Sequence, residues 1–407
     1  MSTMSKLHLV KQIGAAITQP LAQNLVASYA GITTDAKKVP RQTIQYLGKK
    51  VTDYITEELD DTLNAKFSGH EIFRKQIPKG FNLEKTFHFA FDPSTKLGRP
   101  LQADHMLQEG QTVEVEAFGW AVRDTINKKV YIFFKGTVFK STEILASTGT
   151  DKIGFNNDDT VPADVLIKGM PGQAKGSNAR WMSSSMRYVD ANGKERVLVK
   201  SMTDQMREYA QRKDLEGYDI IVLGHSVGAT ELAIMYTHLG LFQPHLLSAL
   251  AFCIGPYRFL SKDAVQWMNQ NAPGPWVNVI NGNDFVSLAS TIRGSIGTGL
   301  LTRPVITEAI IQQWLKDNPF WLPGQAFGFE SIQGVGWSPF ANHNIFSYEL
   351  ALRPENFGLI LPLEDGIEGV LRFKPKYGEF QPIEPRTEED RALIAMLKQE
   401  SEGYIHN

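Results

Sequence analysis

The chain has 407 residues, 42% of them hydrophobic and 21% charged, with a formal net charge of −2. That is enough apolar material for a sizeable core, and it excludes wholesale disorder. The near balance of charge argues against binding nucleic acid through bulk electrostatics.

The first segment, MSTMSKLHLVKQIGAAITQPLAQNL, is weakly basic, but Gln12, Thr18 and Gln19 interrupt its apolar stretch. It reads as a poor signal peptide. No run of about 18 apolar residues occurs, so no spanning helix is expected. The expected location is cytoplasmic, or outside the cell by a signal-independent route. Residues 1 to about 70 read as mostly helical, because Ile44, Leu47, Val51 and Ile55 recur every three to four positions. Scaffold helices packed on a main domain are expected there.

From residue 111 the pattern changes. TVEVEAFGWAVRD and KKVYIFFKGTVF read as two strands joined by a polar turn around Thr125 to Lys129. Residues 141–180 are rich in Gly, Ser, Thr, Asp and Pro and read as a long loop. Then SMTDQMREYAQRK reads as a helix, YDIIVLG as a strand and ATELAIMYTHLG as a helix. LLSALAFCIG reads as a buried strand, SKDAVQWMNQ as a helix and WVNVI as a strand. Alternating strands and helices predict a parallel sheet covered on both faces.

The single cysteine, Cys253, lies in that buried strand, so no intramolecular disulfide forms and the thiol is expected in the core. No H-E-x-x-H cluster occurs, and GSIGTG at 294–299 lacks the Lys-Ser/Thr ending of a phosphate-binding loop. No metal and no cofactor are expected.

GHSVG at 224–228 poses the chemical question. G-x-S-x-G arises by chance on the order of 0.1 to 0.2 times in a chain of this length. Here it sits between an apolar strand and a helix, the context that a nucleophile elbow needs. Glycines at 224 and 228 leave room for a sharp turn that lifts Ser226 clear of the sheet. A serine hydroxyl is a weak nucleophile and needs a base, which needs an orienting carboxylate. Four histidines lie at or beyond the next helix: His238 on it, His245 in a short loop, His343 in SPFANHNIFSYEL, and His406 near the end. His343, in a loop entering a helix, is chosen. Of Asp263, Asp284 and Asp317, only Asp284 follows a strand, at the end of the sheet where site residues collect. Val227, directly after the serine, is expected to donate its N–H to an oxyanion. Thr137, after the strand VYIFF and Gly136, is expected to supply the second donor.

These separated motifs resemble the class 3 lipases (the fungal-lipase-like triacylglycerol lipases), an α/β-hydrolase family. FFKGT at 133–137 looks like that family's strand ending in Arg-Gly-Thr/Ser, with Lys135 in place of arginine. GHSVG resembles its elbow, CIGPYRF its Gly-x-Pro-Arg strand end, VNVINGNDFVS its acid segment, and HNIFSYEL its histidine segment. The resemblance covers about residues 111–355. It implies an α/β-hydrolase fold with Ser226 as nucleophile, Asp284 and His343 as its partners, and Thr137 with Val227 as oxyanion donors. The family's aspartate-rich, tryptophan-containing segment is not evident, and the stretch where a lid would lie is polar.

The expectations are an α/β-hydrolase core over 111–360, a mostly helical N-terminal extension over 1–110 and a C-terminal extension over 361–407. The implied activity is hydrolysis of lipid acyl esters, with transient contact at a membrane surface and no nucleic-acid partner. A short-chain carboxylesterase, an acyltransferase and a non-catalytic binding protein on the same fold are the alternatives. Phe320, Trp321, Leu322, Phe327 and Phe329 form an aromatic-rich segment better explained by core packing than by acyl binding.

Overall fold

The computed structural model describes residues 41–45, 81–91, 105–136, 160–246, 248–284, 287, 320–335, 339–365, 369–370 and 372–405. Among them, nine strands form the main sheet. They are β1 (Arg41–Gln45), β2 (Phe81–Phe91), β3 (Thr112–Asp124), β4 (Lys129–Phe134), β5 (Asp219–His225), β6 (Ser248–Ile254), β7 (Trp276–Asn281), β8 (Gln325–Phe329) and β9 (Leu361–Pro362). The central strands run in the order β4-β5-β6-β7-β8, all parallel. Antiparallel pairing flanks them: β3 on β4, β1 and β2 on β3, and β9 on β8.

The parallel strands are near-continuous apolar runs because both of their faces are covered. Alternation along β4 sends Val130, Ile132 and Phe134 to one core, and Tyr131 and Phe133 to the other. The first core is closed by α2 (Met202–Ala210), α3 (Gly228–Phe242) and α4 (Lys262–Asn271), which follow α1 (Gly176–Ser183). The second is closed by α5 (Pro339–His343), α6 (Ile345–Ala351) and α7 (Glu388–Ile405). With α3 and α4 as crossovers in β5–α3–β6–α4–β7, this is the α/β-hydrolase layout. α3 is buried from Gly228 to Leu239, mostly apolar but with Thr230, Glu231, Thr237 and His238 buried within it. Each of Leu232, Ile234 and Met235, with no exposed surface, contributes about 1.5–3 kcal/mol by leaving water.

Three sequence expectations change. Ile44 lies in strand β1, in register with Val113, and not in a helix. A partner strand overrides the weak helical spacing there; Leu47, Val51 and Ile55 lie outside the described residues. The segment expected as loop at 141–180 carries ordered elements from Thr160 on. Thr160–Pro162 and Gln173–Lys175 form strands and α1 follows, because Ala174 pairs with Leu260 and Ala163, Leu166, Ile167 and Met170 join the first core. His343 ends the one-turn helix α5, and Asn344 caps α6 by accepting from the N–H of Phe346 at 3.1 Å.

α7 had no counterpart in the sequence reading. Thr387 Oγ1 accepts from the N–H of Asp390 at 3.1 Å, and Asp390 Oδ2 accepts from that of Thr387 at 2.9 Å, a reciprocal cap. Arg353, just beyond α6, pairs with the same Asp390, and Ile394 and Leu397 pack in the core shared with Ala341 and Ile345. The C-terminal helix thus braces the two short helices around His343.

Candidate active site

The elbow follows from steric exclusion. A Cβ on Gly224 would lie 2.3 Å from the carbonyl oxygen of Gly228, and one on Gly228 would lie 2.5 Å from that of Phe134. Neither site admits a larger residue, so β4, β5 and the start of α3 approach closely. Between the two glycines, Ser226 has φ 57°, in the left-handed region that non-glycine residues enter at a cost. Its N–H donates to the carbonyl of Ile254 at 3.0 Å, which fixes the turn to the end of β6. Val227 stands at the N-cap of α3, where backbone N–H groups and the helix dipole favour negative charge.

Ser226, His343 and Asp284 meet at the carboxyl ends of the parallel strands. Nε2 of His343 is 2.7 Å from Oγ of Ser226, and Nδ1 is 2.8 and 2.9 Å from the two oxygens of Asp284. Asp284 has no exposed surface and His343 and Ser226 have 2% and 7%. Burial alone would raise the Asp284 carboxyl. The positive charge that His343 carries whenever it is protonated, with hydrogen bonds from His343, Tyr348 and Ser287, outweighs it and holds Asp284 below the usual carboxylate range. The carboxylate is therefore ionised at neutral pH, and Nδ1 of His343 is the protonated nitrogen that faces it. Nε2 then carries a lone pair toward the serine hydroxyl.

The carboxylate has a shell of its own. Tyr348 on α6 donates to Oδ2, as does the Ser287 hydroxyl at 2.9 Å, and the Ser287 N–H reaches Oδ1 at 3.3 Å. The phenol oxygen accepts from the N–H of Asn281 at 3.2 Å. Gly255, with φ 53°, brings the end of β6 so close that a Cβ there would lie 3.0 Å from Asp284 Oδ2. None of Tyr348, Ser287 and Gly255 was found from sequence. Ser287 left a signal, since a Ser three residues after an Asp is a local capping pattern. Tyr348 left only its position in an apolar helix.

Thr137 lies outside the described residues. Gly136 just before it abuts the elbow: a Cβ there would lie 2.6 Å from Nδ1 of His225 and 3.2 Å from Cβ of Ser226. Of the other candidates, His238 is buried in α3 and stacks on Phe242, His245 is exposed, and Asp263 is exposed in the first turn of α4. Asp317 and His406 lie outside the described residues. Phe327 and Phe329 are core side chains, Phe329 edge-on to Tyr348. Among the described residues no group of three or more His, Cys, Asp or Glu is arranged to hold a metal ion, and no helix is long and apolar enough to cross a membrane.

No family model matches the chain, and no curated protein matches it. Solved structures resemble it. The native Rhizomucor miehei lipase propeptide complex gives a TM-score of 0.38 at 11% identity, over 75% of this chain and 68% of that one. Lipase II from Rhizopus niveus gives 0.38 at 14% identity, over 79% of this chain and 82% of that one. A triacylglycerol lipase from Penicillium expansum gives 0.30 at 14% identity, over 52% of this chain and 64% of that one.

Proposed function

We propose that the chain is a serine ester hydrolase of the lipase kind, cleaving acyl esters through Ser226, His343 and Asp284. The observation that carries this is the unbroken buried relay from Ser226 Oγ through both nitrogens of His343 to the ionised carboxylate of Asp284. A serine that only shaped a glycine turn would have no need of a base at 2.7 Å.

In this reading Ser226 Oγ attacks the ester carbon while His343 Nε2 takes its proton. The carbonyl electrons move to oxygen, which accepts from the N–H of Val227 and from Thr137. The intermediate collapses, the ester C–O bond breaks, and the imidazolium returns the proton to the departing alcohol. A water, deprotonated by the same Nε2, then releases the acid and restores Ser226. Asp284 stays ionised throughout and stabilises the positive imidazole. Losing one oxyanion donor costs about 2.7–4 kcal/mol of transition-state stabilisation. The lipid substrate class follows from the motifs that resemble class 3 lipases, and it is the finer part of the proposal.

The test is labelling with a fluorophosphonate probe, then hydrolysis of p-nitrophenyl esters of short and long acyl chains. Wild type is expected to label and Ser226→Ala not to. Asp284→Asn, which leaves His343 in the wrong tautomer, is expected to lower kcat by about 10⁴-fold. Equal labelling of wild type and Ser226→Ala would overturn the hydrolase reading. Activity confined to short chains would overturn the lipase part and leave a carboxylesterase.

A further inference from the structure

The residue before the serine has a task that the proposed relay does not use. His225 ends β5, and its Nε2 lies 2.8 Å from the main-chain oxygen of His343. A carbonyl only accepts, so Nε2 carries the hydrogen. The acceptor is the last residue of α5, where helix carbonyls have lost their intrahelical donors. The two imidazoles also stack, with ring centroids 4.8 Å apart and planes inclined by 30°. On the other side the His225 ring is pressed against Gly136.

The geometry points to His225 as a positioning residue for His343: a neutral imidazole that ties the main chain of the general base to the strand carrying the nucleophile. The inference rests on the hydrolase reading above. His343 stands 117 residues from Ser226 and ends a helix of five residues. Asp284 fixes the far side of its ring, which sets rotation but not the distance of the backbone from the serine. The hydrogen bond from His225 supplies that second constraint, and it comes from the residue adjacent to Ser226. Nucleophile and base are therefore referenced to one turn of chain.

The charge state of His225 matters for the same reason. During turnover His343 becomes cationic, and a second cation stacked on it would oppose that step. Among the described residues, the ionisable side chains facing His225 include His343, Asp284 and Tyr348. Burial keeps His225 neutral by holding its pKa at about 3, and the charge of His343 pushes it the same way.

Two variants and one measurement on the unaltered protein test this. His225→Phe keeps a stacked ring and removes the donor; His225→Gln keeps an N–H donor of similar reach. The Phe variant is expected to lose about ten- to a hundred-fold in kcat, the scale of a small misplacement of a reacting group. Its fluorophosphonate labelling slows in proportion and its KM stays within about twofold. The Gln variant is expected to recover most of the loss. Wild-type kcat in the Phe variant, a Gln variant as slow as the Phe variant, or a loss wholly in KM would overturn the assignment. Should the Phe variant fail to fold, ¹⁵N-histidine NMR of wild type still decides. A neutral His225 protonated on Nε2 at pH 7 supports the assignment, and a cation or the Nδ1–H tautomer overturns it. Failure of the hydrolase reading is separate, since wild type would then not label at all.

Discussion

Tyr348 donates its phenolic hydrogen to Oδ2 of Asp284, the same carboxylate oxygen that faces Nδ1 of His343 at 2.8 Å. Tyr348 comes from α6 and Asp284 from the loop after β7. Burial and the charge of Asp284 both raise the Tyr348 hydroxyl well above its ordinary value, so it remains a donor across the working pH range.

Tyr348→Phe therefore removes a donor from a buried anion and an acceptor from the N–H of Asn281. A hydrogen bond to a charged group contributes about 1.5–3 kcal/mol, and a loss of that size is expected in urea denaturation. The Asp284 carboxyl should also rise. A depressed carboxyl stabilises the fold above its unfolded value near 3.9 and loses that contribution as the pH falls through the folded value. The variant should lose stability at a higher pH than wild type. Identical acid transitions would mean that Tyr348 does not hold the carboxylate.

Ser226 offers a test of backbone strain separate from chemistry. Ser226→Ala and Ser226→Gly both delete the hydroxyl, but only glycine is at ease at φ 57°. The left-handed conformation costs about 1–2 kcal/mol for a residue with a Cβ. Glycine gives back about 0.4–1 kcal/mol through its looser unfolded chain. The Gly variant is expected to be the more stable by up to about 1.6 kcal/mol in thermal melts. An Ala variant more stable than the Gly variant would show the turn to be unstrained.

Gly228→Ala would put a Cβ 2.5 and 2.6 Å from the backbone oxygens of Phe134 and Lys135. Backbone cannot swing aside as a flexible side chain can, so α3 must move off the end of β4. A destabilisation of about 1–3 kcal/mol and loss of esterase turnover are expected. Gly358→Ala, with nothing within 4 Å of the added carbon, is the control: turnover should not change, and stability should not fall and can rise by about 0.4–1 kcal/mol through the stiffer unfolded chain.

His238 sets an acid limit. Its two ring nitrogens lack hydrogen-bond partners among the described residues, and it is 3% exposed. Burial lowers its pKa to about 4, with the charge of Arg207 acting in the same sense and Asp204 opposing. Between pH 6.5 and 4 the unfolded chain binds a proton at this residue that the folded chain refuses. Stability therefore falls as pH falls, by about 1.4 kcal/mol per unit. His238→Leu should remove that share of the slope, read as the difference in urea midpoints at pH 7 and pH 5. Parallel slopes for the two proteins would discard this account.

The centre of the molecule was legible because its physics is local. Strands buried on both faces must be apolar throughout, as IIVL and LAFCI are, and an elbow must have glycines where the backbone crowds. Asp284 and His343 were reachable from the elbow because chain order and the end of β7 narrow the choice. The flanks were harder. FNLEKTFHFAF alternates as a strand should, but shifts of register between Leu83 and Lys85 and between Phe87 and His88 break its period. Gln173–Lys175 takes its pairing from Leu260, far away in sequence. The roles of His225 and Tyr348 depend on distances that no spacing along the chain encodes.

Cys253 lies in β6, between the strand that leads to Ser226 and the strand that leads to Asp284. It is the chain's one thiol, 2% exposed, and burial raises its pKa to about 12. Alkylating reagents can then reach it only when the packing over this face of the sheet opens. The rate of its modification is a built-in stopwatch for that opening, readable by mass without any added reporter.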